Sequence, residues 1–175
     1  WPYEPHYTEV SDGDGGTLRV HHAEDGPADG PTVLLLHGEP TWGYLYRKMM
    51  PALAKAGIRS LVPDQVGFGR SDKPADRGDY SYQRHVDWMQ GWLDATGTEP
   101  LFFFGQDWGG LIGLRLVATD PERFAGLVVS NTGLPDGSGK PNDAFMAWQR
   151  FSQTAEEFPI GRIITGGCLS DLPPD

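Results

Sequence analysis

The segment FFFGQDWGG, residues 102–110, holds an aspartate between glycines at the point where an apolar run stops. Gly105-Gln106-Asp107-Trp108-Gly109 is a G-x-D-x-G pattern, one residue removed from the G-x-S-x-G elbow that presents a nucleophilic serine between a strand and a helix. The flanking glycines permit a sharp turn. The helical run that follows would set Asp107 at a helix N-terminus, where free N–H groups and the dipole favour an anion. An aspartate ahead of a helix is most often only an N-cap. Here it follows a buried strand and coexists with an upstream His37-Gly38 loop, so a nucleophilic carboxylate is the stronger reading.

Replacing serine by aspartate changes the reaction. A serine alkoxide that displaced a leaving group from saturated carbon would form an ether, which water does not readily cleave. A carboxylate in the same displacement forms an ester, and water can open an ester at its carbonyl. Asp107 therefore suits displacement at sp3 carbon, whereas serine suits acyl transfer.

Such a nucleophile needs a sheet to hold it. Alternating apolar and polar residues in HYTEV (6–10) and LRVHH (18–22) predict two strands, with SDGDGG as their hairpin turn. TVLLLHG (32–38) is a continuous apolar run that fits a strand buried on both faces. Leu45, Met49 and Leu53 predict a helix over 44–56 ended by Gly57, and RSLVPD (59–64) a further strand. Val86, Met89 and Leu93, with Trp88 and Trp92, stand at helical spacing within 80–97, mark a helix ended by Gly97 and read as core. LFFFGQ (101–106) is a strand, GGLIGLRLVATD (109–120) a helix and FAGLVVSN (124–131) a strand.

This alternation of strand and helix requires parallel crossovers, and hence an α/β fold with a mostly parallel, doubly wound sheet and an antiparallel N-terminal hairpin. Reactive groups in such sheets collect beyond the carboxyl ends of the strands. The loops HGEPTW (37–42), DQVGFGRSD (64–72) and GQDWGG (105–110) all fall there. From Thr132 the chain changes character: TGLPDGSGKPND reads as a linker, DAFMAWQRFSQ as a short amphipathic helix, and the remainder as loop. The division is a core over 1–132 and the start of a helical cap over 133–175.

Composition narrows the classes. The 175 residues carry a formal charge of −10, which argues against nucleic acid or an anionic membrane as partner. The single Cys168 excludes an internal disulfide framework and a cysteine-built zinc site, and reads as a packed thiol. No apolar run approaches the ~20 residues of a membrane helix. WPYEPHYTEV lacks the basic start and long apolar stretch of a signal peptide, so a cytoplasmic protein is expected. The chain opens on Trp1 rather than Met and closes on SDLPPD; both ends look cut.

HGEPTWGYLYRKMMPALAKAG (37–57), DQVGFGRSDKP (64–74) and GQDWGG together resemble the haloalkane dehalogenases of the α/β-hydrolase fold, over essentially the whole chain. The resemblance implies a small halogenated alkane and water as substrates, halide among the products, and neither cofactor nor metal. It implies Asp107 as the alkylated nucleophile and the backbone N–H groups of Glu39 and Trp108 as the oxyanion hole. The Trp108 indole would face the departing halide. An anion stripped of water needs more than one donor. One subfamily uses an Asn after the HG pair, where Glu39 stands here; the other uses a cap Trp, and AFMAWQRF supplies Trp148.

The resemblance implies a structural role for His37 and not that of the base. The base comes last in the order nucleophile, acid, base. All five histidines (6, 21, 22, 37 and 85) precede Asp107, so the base and acid are expected outside this chain. The strand before the linker ends in Asn131 where one subfamily carries Glu, and Asp136 lies in the linker. Without a base, the chain alone is expected to be alkylated once at most and to show no turnover.

Competing readings are weaker on specific residues. Epoxide hydrolases share the aspartate elbow but open the epoxide with cap tyrosines, and no Tyr follows Tyr82. Fluoroacetate-type dehalogenases place Arg where Trp108 stands, and Asp107 itself disfavours a serine esterase. A non-catalytic binding protein of the same fold would lack the base, but has no use for Asp107, Trp108 and Trp148 together.

Overall fold

Strand β3 (Thr32–Leu36, TVLLL) is buried at every residue, as a strand covered on both faces must be. Its side chains alternate between two cores. Leu34 and Leu36 join Leu61, Phe103, Trp92 and Ile112 on one side. Val33 and Leu35 join Val62, Tyr46 and Met50 on the other. The structure, a computed structural model, describes residues 1–97, 100–135 and 137–170.

Around β3 the sheet is built from β1 (His6–Ser11), β2 (Thr17–Asp25), β4 (Arg59–Pro63), β5 (Leu101–Gln106) and β6 (Phe124–Ser130), in the order β1-β2-β4-β3-β5-β6. β1, β2 and β4 pair antiparallel in turn, whereas β3 runs parallel to both β4 and β5, and β5 parallel to β6. The expected mostly parallel sheet with an antiparallel N-terminal hairpin is thus the one observed. Strand order reverses at β3: β4 lies to one side and β5 to the other. The loops leaving the carboxyl ends of β3 and β5 therefore diverge from adjacent strands and leave a crevice between them.

The helices follow their local signals with two exceptions. Helix α2 (Tyr82–Thr96) is capped by Ser81, whose hydroxyl accepts the Arg84 N–H at 3.2 Å, and ends at Gly97. It buries Val86, Trp88, Met89, Trp92 and Leu93. Helix α3 (Trp108–Thr119) follows the elbow directly. The helix expected over 44–56 is instead a 3-10 turn, Gly43–Tyr46, followed by α1 (Met49–Lys55). Pro51 explains the break, because it lacks an N–H and is tolerated only in a first turn. Met50 rather than Leu45 is consequently the fully buried residue, and the Tyr46 hydroxyl reaches inward to the Leu36 carbonyl at 2.6 Å.

The chain divides into a unit Trp1–Leu134 and a unit Pro135–Asp175. In the second, Asn142 caps α4 (Asp143–Thr154) by accepting the Phe145 N–H at 2.8 Å. The stretch expected to be loop contains a further helix, α5 (Ile160–Gly166). Trp148, Phe151 and Phe158 pack together there, with ring centroids 5.7–6.0 Å apart. Cys168 is exposed, not packed. Asp136 lies outside the described residues. Among the described residues, no helix is long and apolar enough to cross a membrane.

Candidate active site

Asp107 sits between β5 and α3 with φ 52° and ψ −125°, in the left-handed half of backbone space that a non-glycine residue rarely occupies. The turn survives because its surroundings hold it. The Asp107 N–H donates to the Asn131 carbonyl at 3.2 Å. Its own carbonyl accepts from the N–H groups of Gly110 and Leu111 and from the Thr132 hydroxyl at 2.8 Å. Close approach requires the neighbouring glycine: a Cβ on Gly109 would strike the Leu36 and His37 carbonyl oxygens. The side chain is left projecting from the strand end.

The loop after β3 meets it there. Leu36 pairs with Gly105 in the parallel register, so the residues that follow each strand are neighbours. The Glu39 N–H donates to Asp107 Oδ1 at 2.9 Å. Gly38 lies so near that a Cβ on it would overlap the Asp107 carboxylate. Trp108 opens α3, which makes its N–H one of those that a helix cannot satisfy internally. Glu39 and Trp108, singled out with Asp107 in the sequence, are therefore brought to it. Trp148 belongs to the second unit, on α4.

His37 does not compete for the nucleophile. It is fully buried, its Nε2 accepts the Gln65 N–H at 3.0 Å, and Nδ1 lies 3.1 Å from the Gly38 carbonyl. Since Nε2 accepts, Nδ1 carries the proton and donates; both nitrogens are used in fastening the loops after β3 and β4. Burial pushes its pKa down, so it stays neutral.

Asp64 is the matching anchor after β4. It accepts from His21 Nδ1 at 2.9 Å, from Gly43 N–H at 2.9 Å and from Arg70 N–H at 2.8 Å. Burial alone would raise its pKa, but these donors outweigh burial and hold it below the ordinary carboxylate value. Glu39 shifts the other way, raised first by burial and then by the charge of Asp107.

Beside Asp107 lies a cavity of about 200 Å3, lined by Gly38, Glu39, Phe68, Tyr80, Tyr82, His85 and Trp108 among others. Trp108 is 41% exposed and its ring lies 5.9 Å from that of Tyr82. Of these, Glu39 and Trp108 are assigned roles from the sequence. Phe68, Tyr80, Tyr82 and His85 converge from the long loop after β4 and the first turns of α2. Phe68 stands in the strand-end loop DQVGFGRSD singled out above, whereas Tyr80, Tyr82 and His85 carry no signal in the sequence. The Tyr80 and Tyr82 hydroxyls are spent on the carbonyls of Pro74 and Leu111, at 2.8 and 2.7 Å.

A carboxylate on a strained strand-to-helix turn, with an amide of the neighbouring loop already on one oxygen, can attack carbon with the other. A family model described as the alpha/beta hydrolase fold matches residues 31–165. The chain belongs to the alpha/beta hydrolase family. Within it, a haloalkane dehalogenase from Psychrobacter cryohalolentis is 53% identical over 97% of the chain. The chain spans 56% of that relative's length. The solved structure of a haloalkane dehalogenase from Paraglaciecola agarilytica superposes with a TM-score of 0.86 at 34% identity, over 98% of this chain and 57% of that one. An epoxide hydrolase from Vigna radiata is more distant, at 26% identity and a TM-score of 0.73, with 98% and 59% covered.

Proposed function

We propose that this chain carries the nucleophile half of a haloalkane dehalogenase, which hydrolyses a small halogenated alkane to alcohol, halide and a proton. The observation that carries the reading is Asp107 at the elbow with the Glu39 N–H on Oδ1. In the first step Asp107 Oδ2 attacks the halogen-bearing carbon. A C–O bond forms, the carbon–halogen bond breaks, and the halide leaves with the bonding pair. In the second, water attacks Cγ of the ester; the N–H groups of Glu39 and Trp108 stabilise the oxyanion that forms on Oδ1, and collapse releases the alcohol.

The Trp108 indole N–H is assigned to the departing halide, since its ring borders the cavity beside Asp107. Trp148 is assigned as the second donor on chemical grounds, as an indole in the segment 133–175 that we read as the start of a cap. The water-activating base and its acid are placed outside the five histidines of this chain. His37 has both nitrogens engaged and His21 is committed to Asp64. His85 is depressed to about 4, chiefly by burial, which makes it a poor base.

Epoxide opening is disfavoured by the same cavity. It needs a hydroxyl donor at the leaving oxygen, and the two tyrosines present donate to backbone carbonyls instead. No role for nucleic acid follows from a chain of net charge −10. An exposed free thiol at Cys168 fits a reducing, cytoplasmic setting.

The experiment is bromide release from 1,2-dibromoethane by the chain and by its Asp107→Asn variant. One bromide or fewer per chain, lost in the variant, supports alkylation of Asp107 without turnover. Sustained release would show that a base is present among these residues. No release and no mass increase on Asp107 would defeat the reading.

A further inference from the structure

We propose that His6, His22 and Glu24 bind one divalent transition-metal ion of the zinc type, at a site on the N-terminal hairpin separate from the cavity beside Asp107. The register of the hairpin creates the constellation. His6 on β1 is the direct cross-strand partner of His22 on β2. Glu24 follows His22 by two residues, and alternate residues of a strand share a face. Three potential ligands therefore stand together on one side of the sheet.

Their geometry is near that of a metal site. The two imidazole rings stack with centroids 5.1 Å apart and planes 26° from parallel. Glu24 Oε1 lies 3.1 Å from His22 Nε2. One ligand atom from each of the three residues falls within 4.8 Å of the others. Bonds of about 2.1 Å in a tetrahedral sphere separate ligand atoms by about 3.4 Å. Closing the set thus requires about 1 Å of inward movement. His6, exposed on the edge strand, is free to supply it, whereas His22 is only 6% exposed and fixed.

Two neighbours prepare the ligands. Arg59 takes Glu24 Oε2 with both Nε and a terminal nitrogen, at 3.0 and 2.6 Å, and so turns Oε1 toward His22. That is the outer-shell orientation of a ligating carboxylate. In the metal-free protein His22 Nε2 donates to Glu24 Oε1, while His22 Nδ1 is buried with no hydrogen-bond partner among the described residues, so a metal that takes Glu24 Oε1 as ligand meets no competing acceptor at Nδ1. On metal binding the ring proton moves to Nδ1 and Nε2 becomes the lone-pair donor. The set opens onto a hollow of about 260 Å3 that also takes in Thr8, Arg59 and Thr96. A fourth position is therefore open to water or a small anion.

Two imidazoles and one carboxylate favour zinc, nickel or copper over calcium or magnesium, which prefer all-oxygen spheres. The Arg59 charge beside the ion tempers its affinity. In the metal-free protein the same residues form an ordinary His22–Glu24–Arg59 chain, and the two readings make different predictions.

The test is calorimetric titration of the full chain with zinc chloride near neutral pH. It is run in a Cys168→Ser background, because the exposed thiol ligates zinc by itself. One ion per chain is expected. His6→Ala and Glu24→Gln should each weaken binding at least about tenfold, with melting curves showing that both variants fold. Zinc binding weaker than about 100 μM, or binding unchanged in His6→Ala, would overturn the site. Dehalogenation is not the readout, so failure here leaves the role of Asp107 untouched.

Discussion

The backbone N–H of Glu39 donates to Asp107 Oδ1 across 68 residues of sequence. In the proposed mechanism this one contact divides the duties of the two carboxylate oxygens: Oδ1 becomes the oxyanion of the ester intermediate, and Oδ2 attacks. Asp107→Asn keeps an acceptor for the Glu39 N–H but loses the nucleophile. It should fold like the parent and lower halide release in the first turnover by at least about 10^4-fold. Asp107→Ala should be equally inactive and also leave that N–H unpaired, costing about 1 kcal/mol by thermal melting. Residual alkylation in either variant, read by mass, would assign the chemistry elsewhere.

Trp108→Phe removes the indole N–H and keeps an aromatic ring against Tyr82. Halide binding should weaken at least about tenfold, since a desolvated anion loses a charge-assisted donor worth roughly 1.5–3 kcal/mol. Halide quenching of tryptophan fluorescence measures it. Quenching unchanged in strength would remove Trp108 from the halide site. Trp148→Phe is expected to act in the same direction.

Gly38→Ala tests the packing of the two loops. The added methyl would overlap the Asp107 carboxylate and must displace it or the Glu39 loop. A displacement of about 1 Å at a nucleophile costs roughly 100-fold in rate. The alkylation rate should therefore fall by that order while far-UV dichroism stays the same.

What the sequence made legible is what local chemistry dictates. The elbow could be read because glycines and a strand–helix junction surround Asp107 within a few residues. Glu39 is assigned through the resemblance of its HG loop; alternation of elements leaves open which strands adjoin, and it is the pairing of β3 with β5 that carries Glu39 to Asp107. The cavity wall could not be read. Tyr80 just precedes α2, and Tyr82 and His85 lie in its first turns, where local spacing carries no sign of a cavity; the fold brings them beside Trp108. Helix α1 was misplaced because apolar periodicity over 44–56 masked the effect of Pro51. The grouping of His6, His22 and Glu24 was invisible for a related reason: it depends on hairpin register, which a turn of several residues does not fix.

Asp64 provides a stability test away from the chemistry. It is buried and accepts three hydrogen bonds that tie His21, the loop after β3 and the loop after β4 together. Asp64→Asn replaces one acceptor oxygen by a donor that faces other donors. The loss should be about 3 kcal/mol, or a melting temperature lower by roughly 6–12 °C at this size. An unchanged melting temperature would mean that these loops are not held through Asp64.

His85 sets the acid limit of stability. It packs between Tyr80 and Trp88, and its Nδ1 has no hydrogen-bond partner among the described residues. Burial first, and then the nearby His37, lower its pKa from 6.5 to about 4. The unfolded chain therefore takes up this proton before the folded one does. Stability is complete above about pH 6.5, falls as the pH drops toward 4, and stops falling through this group once both states are protonated. The interval corresponds to about 3 kcal/mol. His22 and His37 are lowered by burial too and add in the same direction. The hydrogen-bonded carboxylates Glu24 and Asp64 lie below their ordinary values, so their loss begins only at lower pH. Melting temperatures measured from pH 7 to 4 should decline in the parent chain and decline less steeply in His85→Gln, which has no proton to gain. Equal slopes in the two would mean that His85 is hydrated in solution and that water reaches the cavity beside Asp107.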